Sequence, residues 1–209
     1  MSNAAESKTA PIQASKGFAF FLVIAGITGW LASFLLTLER FHVASDPNAK
    51  LSCDVASFIS CKSVMLSHQA KLFGFPNPLI GLAAFAVPIV IGFAILAGAE
   101  FKKWFWQGLF VGHALAMIFV VWLAHEAIFD INALCPYCMV AWAAVIPLFW
   151  QLFFHGAREG YLPVPIRTIN FFVRAYDYAW VFALVTALAI ALTIAIHFWS
   201  LWLRFFGLL

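Results

Sequence analysis

The sequence predicts an all-α integral membrane protein: a four-helix transmembrane bundle, a fifth transmembrane helix, and a short outer-loop helix carrying cysteines. Hydrophobic residues make up 65% of the chain and charged residues only 10%, whereas soluble domains average about 25% charged residues. Five apolar runs are each long enough to cross a hydrocarbon core of about 30 Å. The runs are continuous and do not alternate in short segments, which favours helices over the strands of a barrel.

The apolar runs lie, in chain order, at about 18–38, 79–99, 105–124, 136–154 and 179–203. Lysine and arginine residues precede the first run, separate the second from the third, and separate the fourth from the fifth. The positive-inside rule therefore predicts that the N-terminus and these two connections face the cytoplasm. The long connection between the first two runs, although it also carries basic residues, is then expected outside, together with the start of the fourth run.

The chain divides into three predicted parts: a disordered tail over 1–15, a four-helix bundle over 16–155, and a cytoplasmic linker with the fifth helix over 156–209. Within the bundle, the outer loop at 39–78 is much longer than the usual connections of a compact domain, which favours a functional role. A mildly amphipathic stretch over 55–73 is typical of a short helix at a membrane surface.

The four cysteines form two pairs at the same predicted face of the membrane. Cys53 and Cys61 lie in the outer loop, while Cys135 and Cys138 form a Cys-Pro-Tyr-Cys motif where the fourth run begins. The positive end of a helix dipole and its free N–H groups stabilise a thiolate, so this motif predicts a redox-active pair. Two alternatives stay open: static disulfides, chiefly for the loop pair, and a zinc site, which usually takes two C-x-x-C units.

The order of these cysteines resembles the vitamin K epoxide reductase family, including its bacterial homologues. The resemblance covers about 17–154 and is carried by Cys53-Asp54-Val55, Ser60-Cys61, Asn77 with Gly81, and Cys135-Pro136-Tyr137-Cys138. It implies a four-helix catalytic bundle, with the fifth helix outside that minimal unit. Many bacterial relatives continue into a thioredoxin-like domain, and this sequence is expected to represent a homologue without one.

The resemblance implies a thiol–quinone oxidoreductase of the bacterial inner (cytoplasmic) membrane, with its active site on the outer face. Carried over to this sequence, Cys53 meets a periplasmic or extracytoplasmic thioredoxin-fold (DsbA-like) partner, and Cys61 relays to Cys135. Cys138, deeper in the bundle, contacts the ring of a quinone drawn from the membrane pool, menaquinone or ubiquinone. Neither a metal nor a nucleic acid is expected.

Other residues match family positions with less specific roles. Asn77 matches a residue whose amide bonds a quinone carbonyl, and capping of the second transmembrane helix is its alternative role. Asp54 and Ser60 are expected to support the loop, with simple solvation as the alternative. Trp142, one turn beyond Cys138, replaces a tyrosine that contacts quinone in vertebrate members; its indole either donates to the quinone or packs against lipid or a neighbouring helix.

Three alternative functions follow. The bacterial disulfide-bond protein B type, another four-helix quinone reductase, has its C-x-x-C in the first outer loop and its separated pair in the second, and the reversed order here argues against it. Reduction of vitamin K quinone or its epoxide is the second alternative. Trp142, in place of the tyrosine of vertebrate members, argues against epoxide reduction in particular. The third is a membrane scaffold or carrier with structural disulfides.

Overall fold

The computed structural model describes residues 12, 14–46, 48–163, 165, 171 and 174–207 of the chain. Most of the predicted disordered tail at 1–15, and most of the linker between the fourth and fifth transmembrane helices, lie outside the described residues.

The described residues form an all-α membrane protein, as the sequence predicts. The helices are α1 (Lys16–Ser45), α2 (Cys61–Leu66), α3 (Pro78–Leu96), α4 (Lys103–His125), α5 (Pro136–Arg158), α6 (Ala179–His197) and α7 (Trp199–Phe205). A π-helical turn, Glu126–Asp130, extends α4, and a 3-10 turn, Tyr176–Tyr178, leads into α6. In this part of the chain, five helical segments are long and apolar enough to span a membrane, and they contain α1, α3, α4, α5 and α6.

Two helix ends differ from the predicted runs. Helix α1 continues to Ser45, beyond the predicted end near residue 38. The last turns of α1 are joined to the loop that carries Cys53 and Cys61, because Arg40 Nη1 donates to the Met65 carbonyl at 2.9 Å. The predicted fifth run is a single helix to about residue 203, whereas α6 ends at His197 and α7 begins at Trp199 after one non-helical residue, Phe198.

Small residues allow the first two transmembrane helices to approach closely. A Cβ atom on Gly92 would lie 2.7 Å from the Ala19 carbonyl oxygen, and one on Gly81 would overlap the Ser33 hydroxyl. Close backbone approach through small residues is a common way for helices to associate in lipid, where the hydrophobic effect does not drive them together. The packing of α1 against α3 is therefore fixed by these glycines.

The fifth transmembrane helix, α6, packs against α5. Trp150 Nε1 donates to Thr186 Oγ1 at 3.0 Å, and the Trp150 ring lies 5.2 Å from that of Phe182. On the side away from α5, apolar side chains such as Leu188 and Leu192 are more than half exposed. That surface is suited to hydrocarbon rather than water, so α6 is an additional membrane helix attached to the bundle.

Candidate active site at the cysteine end of the bundle

All four cysteines lie at one end of the bundle, called here the cysteine end, where α1 and α4 finish and α3 and α5 begin. Cys53 and Cys61 are joined in a disulfide, with their Cα atoms 5.7 Å apart. Cys135 and Cys138 are free thiols. The Sγ atom of Cys135 lies 3.4 Å from that of Cys61, so one sulfur of the Cys135–Cys138 pair contacts the loop disulfide.

A short parallel bridge between two chain segments creates this contact. Ile59 pairs with Leu134; the Ser60 N–H donates to the Leu134 carbonyl at 2.9 Å, and the Leu134 N–H donates to the Phe58 carbonyl at 2.8 Å. Cys61 and Cys135 follow this pairing within two residues on their own strands. Because the bridge aligns the two backbones, both sulfur atoms come to the same place.

The loop near the disulfide is held by Asp54 and Ser60, the two residues predicted to support it. Asp54 Oδ1 accepts from Ser60 Oγ at 2.9 Å and from the Lys62 N–H at 3.2 Å. Ser60 Oγ also accepts from the Ser63 N–H at 3.1 Å, which caps α2. These bonds tie the residue after Cys53 to the start of the helix that carries Cys61. The geometry agrees with a supporting role, which stays a prediction until it is measured.

A second link runs from the Cys-Pro-Tyr-Cys motif to the loop. Tyr137 Oη lies 3.1 Å from the Oγ atom of Ser52, which is the residue before Cys53. Ser52 Oγ in turn donates to the Glu39 carboxylate on α1. The sequence interpretation did not assign a role to Glu39, Ser52 or Tyr137. The positions of Ser52 and Tyr137, each beside a cysteine, were the available signal.

Cys135 lies in surroundings that stabilise a thiolate. It is the N-cap of α5, and its Sγ accepts from the Cys138 N–H at 3.4 Å. The pKa of the Cys135 thiol is lowered from its ordinary value, chiefly by a hydrogen bond from the Cys138 thiol; burial opposes this effect, and the N–H groups of Cys138 and Tyr137 add to it. Since the thiolate is the reactive form, this arrangement favours disulfide exchange at Cys135.

The residues predicted to contact quinone are distributed over two elements. Cys138 and Trp142 lie one turn apart on α5; Cys138 is partly exposed, while Trp142 is 6% exposed and belongs to the core. The other three cysteines are each at most 5% exposed. Cys138 is therefore the least buried of the four cysteines, and its apolar neighbour Trp142 suits an aromatic ring. These residues fit a quinone in chemistry, although their contact with it stays a prediction.

Asn77 is engaged within the loop. Its Nδ2 donates to the Gln69 carbonyl at 2.7 Å, and its Oδ1 accepts from the Leu72 N–H at 3.3 Å. Asn77 stands at the N-cap position of α3, but its side chain makes no capping bond to that helix. The amide instead closes the turn that leads into α3, because one of its two N–H groups and its oxygen are both bonded to backbone groups.

The Gln69 side chain connects this turn to the acidic end of α4. Its Nε2 donates to Glu126 Oε2 at 3.0 Å and to Asp130 Oδ2 at 2.6 Å. Both carboxylates belong to the π-helical turn, where one extra residue in the helical turn directs them to the same amide. The turn that contains Asn77 is thereby fixed to the helix that precedes Leu134.

The cysteine chemistry disfavours the zinc alternative. A four-cysteine site requires four thiolates, whereas Cys53 and Cys61 are bonded to each other. No cluster of three or more His, Cys, Asp or Glu side chains suited to a metal ion occurs in the part of the chain that the structure describes.

Fold and site together define a multi-pass membrane protein with two cysteine pairs, one of them joined in a disulfide, at one end of its helical bundle. The family model of the vitamin K epoxide reductase family matches residues 20–153. The match includes most of α1, all of α2 to α4 and most of α5, with both cysteine pairs, and spans more than half of the chain. The chain belongs to the vitamin K epoxide reductase family, and it is accordingly a membrane oxidoreductase with redox cysteines.

Proposed function

We propose that this protein is a thiol–quinone oxidoreductase that oxidises a dithiol of a thioredoxin-fold partner and passes the electrons to a membrane quinone. The observation that carries the proposal is the 3.4 Å contact between Cys61 and Cys135, which joins a loop disulfide to a helix-capping thiol. Static structural disulfides would not need a free thiol against the bridge. The contact has the arrangement that thiol–disulfide exchange requires.

The exchange begins at the loop. A partner thiolate attacks Cys53 Sγ and the Cys61 thiolate leaves; the partner's second thiolate then attacks the mixed disulfide and releases the oxidised partner. The Cys61 thiolate next attacks Cys135 in a Cys135–Cys138 disulfide, and Cys138 leaves as a thiolate. Finally Cys53 attacks Cys61, which restores the loop disulfide and frees the Cys135 thiolate. The loop disulfide and free Cys135 and Cys138 seen here match the state after this transfer.

The second half of the reaction takes place at the α5 pair. A quinone accepts two electrons and two protons from the Cys135–Cys138 dithiol, which returns to a disulfide, so that the net reaction converts partner dithiol and quinone to partner disulfide and quinol. Cys138 is the thiol that faces the ring, and Trp142 provides an apolar wall beside it. Asn77 donates to a quinone carbonyl through the second N–H of its Nδ2, while the first stays bonded to the Gln69 carbonyl.

The location follows from charge. Basic residues such as Lys16, Lys102 and Lys103 lie at the end opposite the cysteines, and the positive-inside rule places that end in the cytoplasm. The cysteine end then faces the periplasm of a bacterium, where an oxidising environment is maintained by electron removal into quinone. Menaquinone or ubiquinone serves as the acceptor, and a periplasmic DsbA-like protein as the partner.

The test is turnover by the purified full-length protein in detergent, with a reduced thioredoxin-fold protein as donor and a short-chain quinone as acceptor. Cys138→Ala is expected to abolish quinone reduction, because the dithiol can no longer close. Cys53→Ala is expected to lose activity with the protein donor and to keep it with dithiothreitol, which can reduce the α5 pair directly. Undiminished turnover in a folded Cys138→Ala variant would contradict the proposed function.

A further inference from the structure

The end of the chain contacts the redox loop through one aromatic side chain. Phe58, which is 2% exposed, has its ring centroid 4.7 Å from that of Trp202 in an edge-to-face arrangement. It also lies 5.7 Å from the ring of Phe198 and 6.2 Å from that of Phe205. We call Phe58, Phe198 and Trp202 the aromatic clamp. These contacts join the region after α6 to the loop between Cys53 and Cys61.

Phe58 occupies a position from which the clamp can act on the sulfur atoms. Its carbonyl accepts from the Leu134 N–H at 2.8 Å, so it is part of the bridge that brings Cys61 to Cys135. A tight turn precedes the bridge, with the Ile59 N–H donating to the Ala56 carbonyl at 3.0 Å. Phe58 is therefore fixed by its backbone to the α5 side of the site and by its ring to the chain end.

A second contact holds the end of α6 beside the same bridge. His197 Nε2 lies 2.9 Å from Asn132 Oδ1, two residues before Leu134. The His197 ring also packs edge-on against Phe129 at 5.1 Å. Asn132 has a positive φ of 53°, a backbone conformation in which asparagine is favoured over most other side chains. The end of α6 contacts the segment before Leu134, and the residues after α6 contact Phe58, so both sides of the bridge are held.

The loop cysteines are buried, so the aromatic clamp affects how a partner thiolate reaches them. Cys53 is 5% exposed and Cys61 is fully buried, so a partner thiolate cannot reach either sulfur in line while the loop lies in this position. Transfer to Cys135, in contrast, requires the loop in this position. We call the loop docked when it lies in this position and open when it does not. A larger proportion of open loops therefore favours attack by the partner and disfavours transfer to Cys135.

We propose that Phe58, Phe198 and Trp202 are positioning residues that hold the redox loop docked against Cys135. The inference rests on the proposed function, to which it adds a role for the fifth transmembrane helix and the short α7 helix. In this arrangement, the helix outside the four-helix bundle sets how readily the loop disulfide opens to a partner. It does so without contacting the reacting atoms.

The first measurement is the rate at which dithiothreitol reduces the Cys53–Cys61 disulfide in the full chain, with Cys135 and Cys138 both replaced by serine. Trp202→Ala is expected to raise this rate about fivefold to tenfold, since an edge-to-face pair and its burial are lost. Trp199→Ala is the matched control. Trp199 lies on the same helix and is 62% exposed, and this variant is expected to reduce at the parent rate.

The second measurement is turnover with the four cysteines intact. Trp202→Ala is expected to lower kcat with a saturating protein donor while lowering the KM for that donor, because the open loop binds the donor more readily and transfers to Cys135 less often. Trp202→Phe, which keeps an aromatic ring, is expected to recover most of both values. A general loss of structure would raise KM and lower the melting temperature, and would not be rescued in this way.

Three outcomes would overturn the clamp: equal reduction rates for Trp202→Ala and Trp199→Ala, a fall in kcat without faster loop reduction, or faster reduction together with a raised KM. Failure of the proposed function is separately visible. In that case the parent protein fails to reduce quinone with any dithiol, while the difference in loop reduction between Trp202→Ala and Trp199→Ala persists.

Discussion

The hydroxyl of Tyr137 offers the sharpest test of how the Cys-Pro-Tyr-Cys motif holds the loop. Tyr137→Phe removes one hydrogen-bonding partner of Ser52 at 3.1 Å and leaves the ring in place. Because Ser52 is directly before Cys53, the lost bond joins α5 to the loop disulfide itself. We expect the variant to open the loop more often without changing the helical bundle.

The magnitude follows from the kind of bond that is lost. A typical hydrogen bond contributes about 1 kcal/mol to stability, and this one is between partly exposed hydroxyl groups. A loss of about 1 kcal/mol corresponds to about a fivefold rise in the fraction of open loops. Since Ser52 keeps the Glu39 carboxylate as a partner, no buried polar group is left unsatisfied and no larger effect is expected.

The assay is reduction of the loop disulfide by dithiothreitol in chains whose Cys135 and Cys138 are serine, and it is read as a double-mutant cycle with Ser52→Ala. Tyr137→Phe is expected to accelerate reduction about fivefold. Adding Tyr137→Phe to Ser52→Ala is expected to cause little further change, because the bond is already absent. Fully additive effects of the two substitutions would refute a direct link between these residues.

Two further predictions concern the Cys135 thiol and the Asn77 amide. In chains without the loop cysteines, alkylation of Cys135 is expected to proceed at a lower pH than for an ordinary thiol, because the pKa of Cys135 is lowered chiefly by the Cys138 thiol. Cys138→Ala should move the pH profile of alkylation upward, and Cys138→Ser should move it less. Coincident pH profiles for the parent and these variants would contradict this cause. Asn77→Ala is expected to lower the melting temperature by about 2–4 °C and to raise the KM for quinone, whereas a changed melting temperature with an unchanged KM would limit Asn77 to the loop.

The membrane helices could be predicted from the sequence because hydropathy and length act locally. A continuous apolar run about twenty residues long has few alternatives in lipid. The same runs fixed where the loops fall, so the common position of the cysteines at one end also followed. The sequence could not show whether Cys53 and Cys61 form a disulfide, because their spacing is compatible with both a bridge and two free thiols.

Contacts that depend on the path of the folded backbone could not be predicted. Asn77 stands directly before Pro78, a pattern typical of a helix cap, yet its amide turns back to the loop because Gln69 and Leu72 offer backbone partners there. Phe198 is one aromatic residue among many in an apolar run. Its ring packs against that of Phe58, far away in the chain, and no local pattern carries that information.

The Ile59–Leu134 bridge also limits how the length of this chain can vary. Side chains alternate along extended segments, so one inserted or deleted residue between the bridge and either cysteine would turn that sulfur away from its partner. The stretch between α1 and Cys53 carries no such restriction, since it is joined to the site through side chains. Among homologous sequences, gaps are therefore expected before Cys53, and constant spacing is expected from Phe58 to Cys61 and from Leu134 to Cys138.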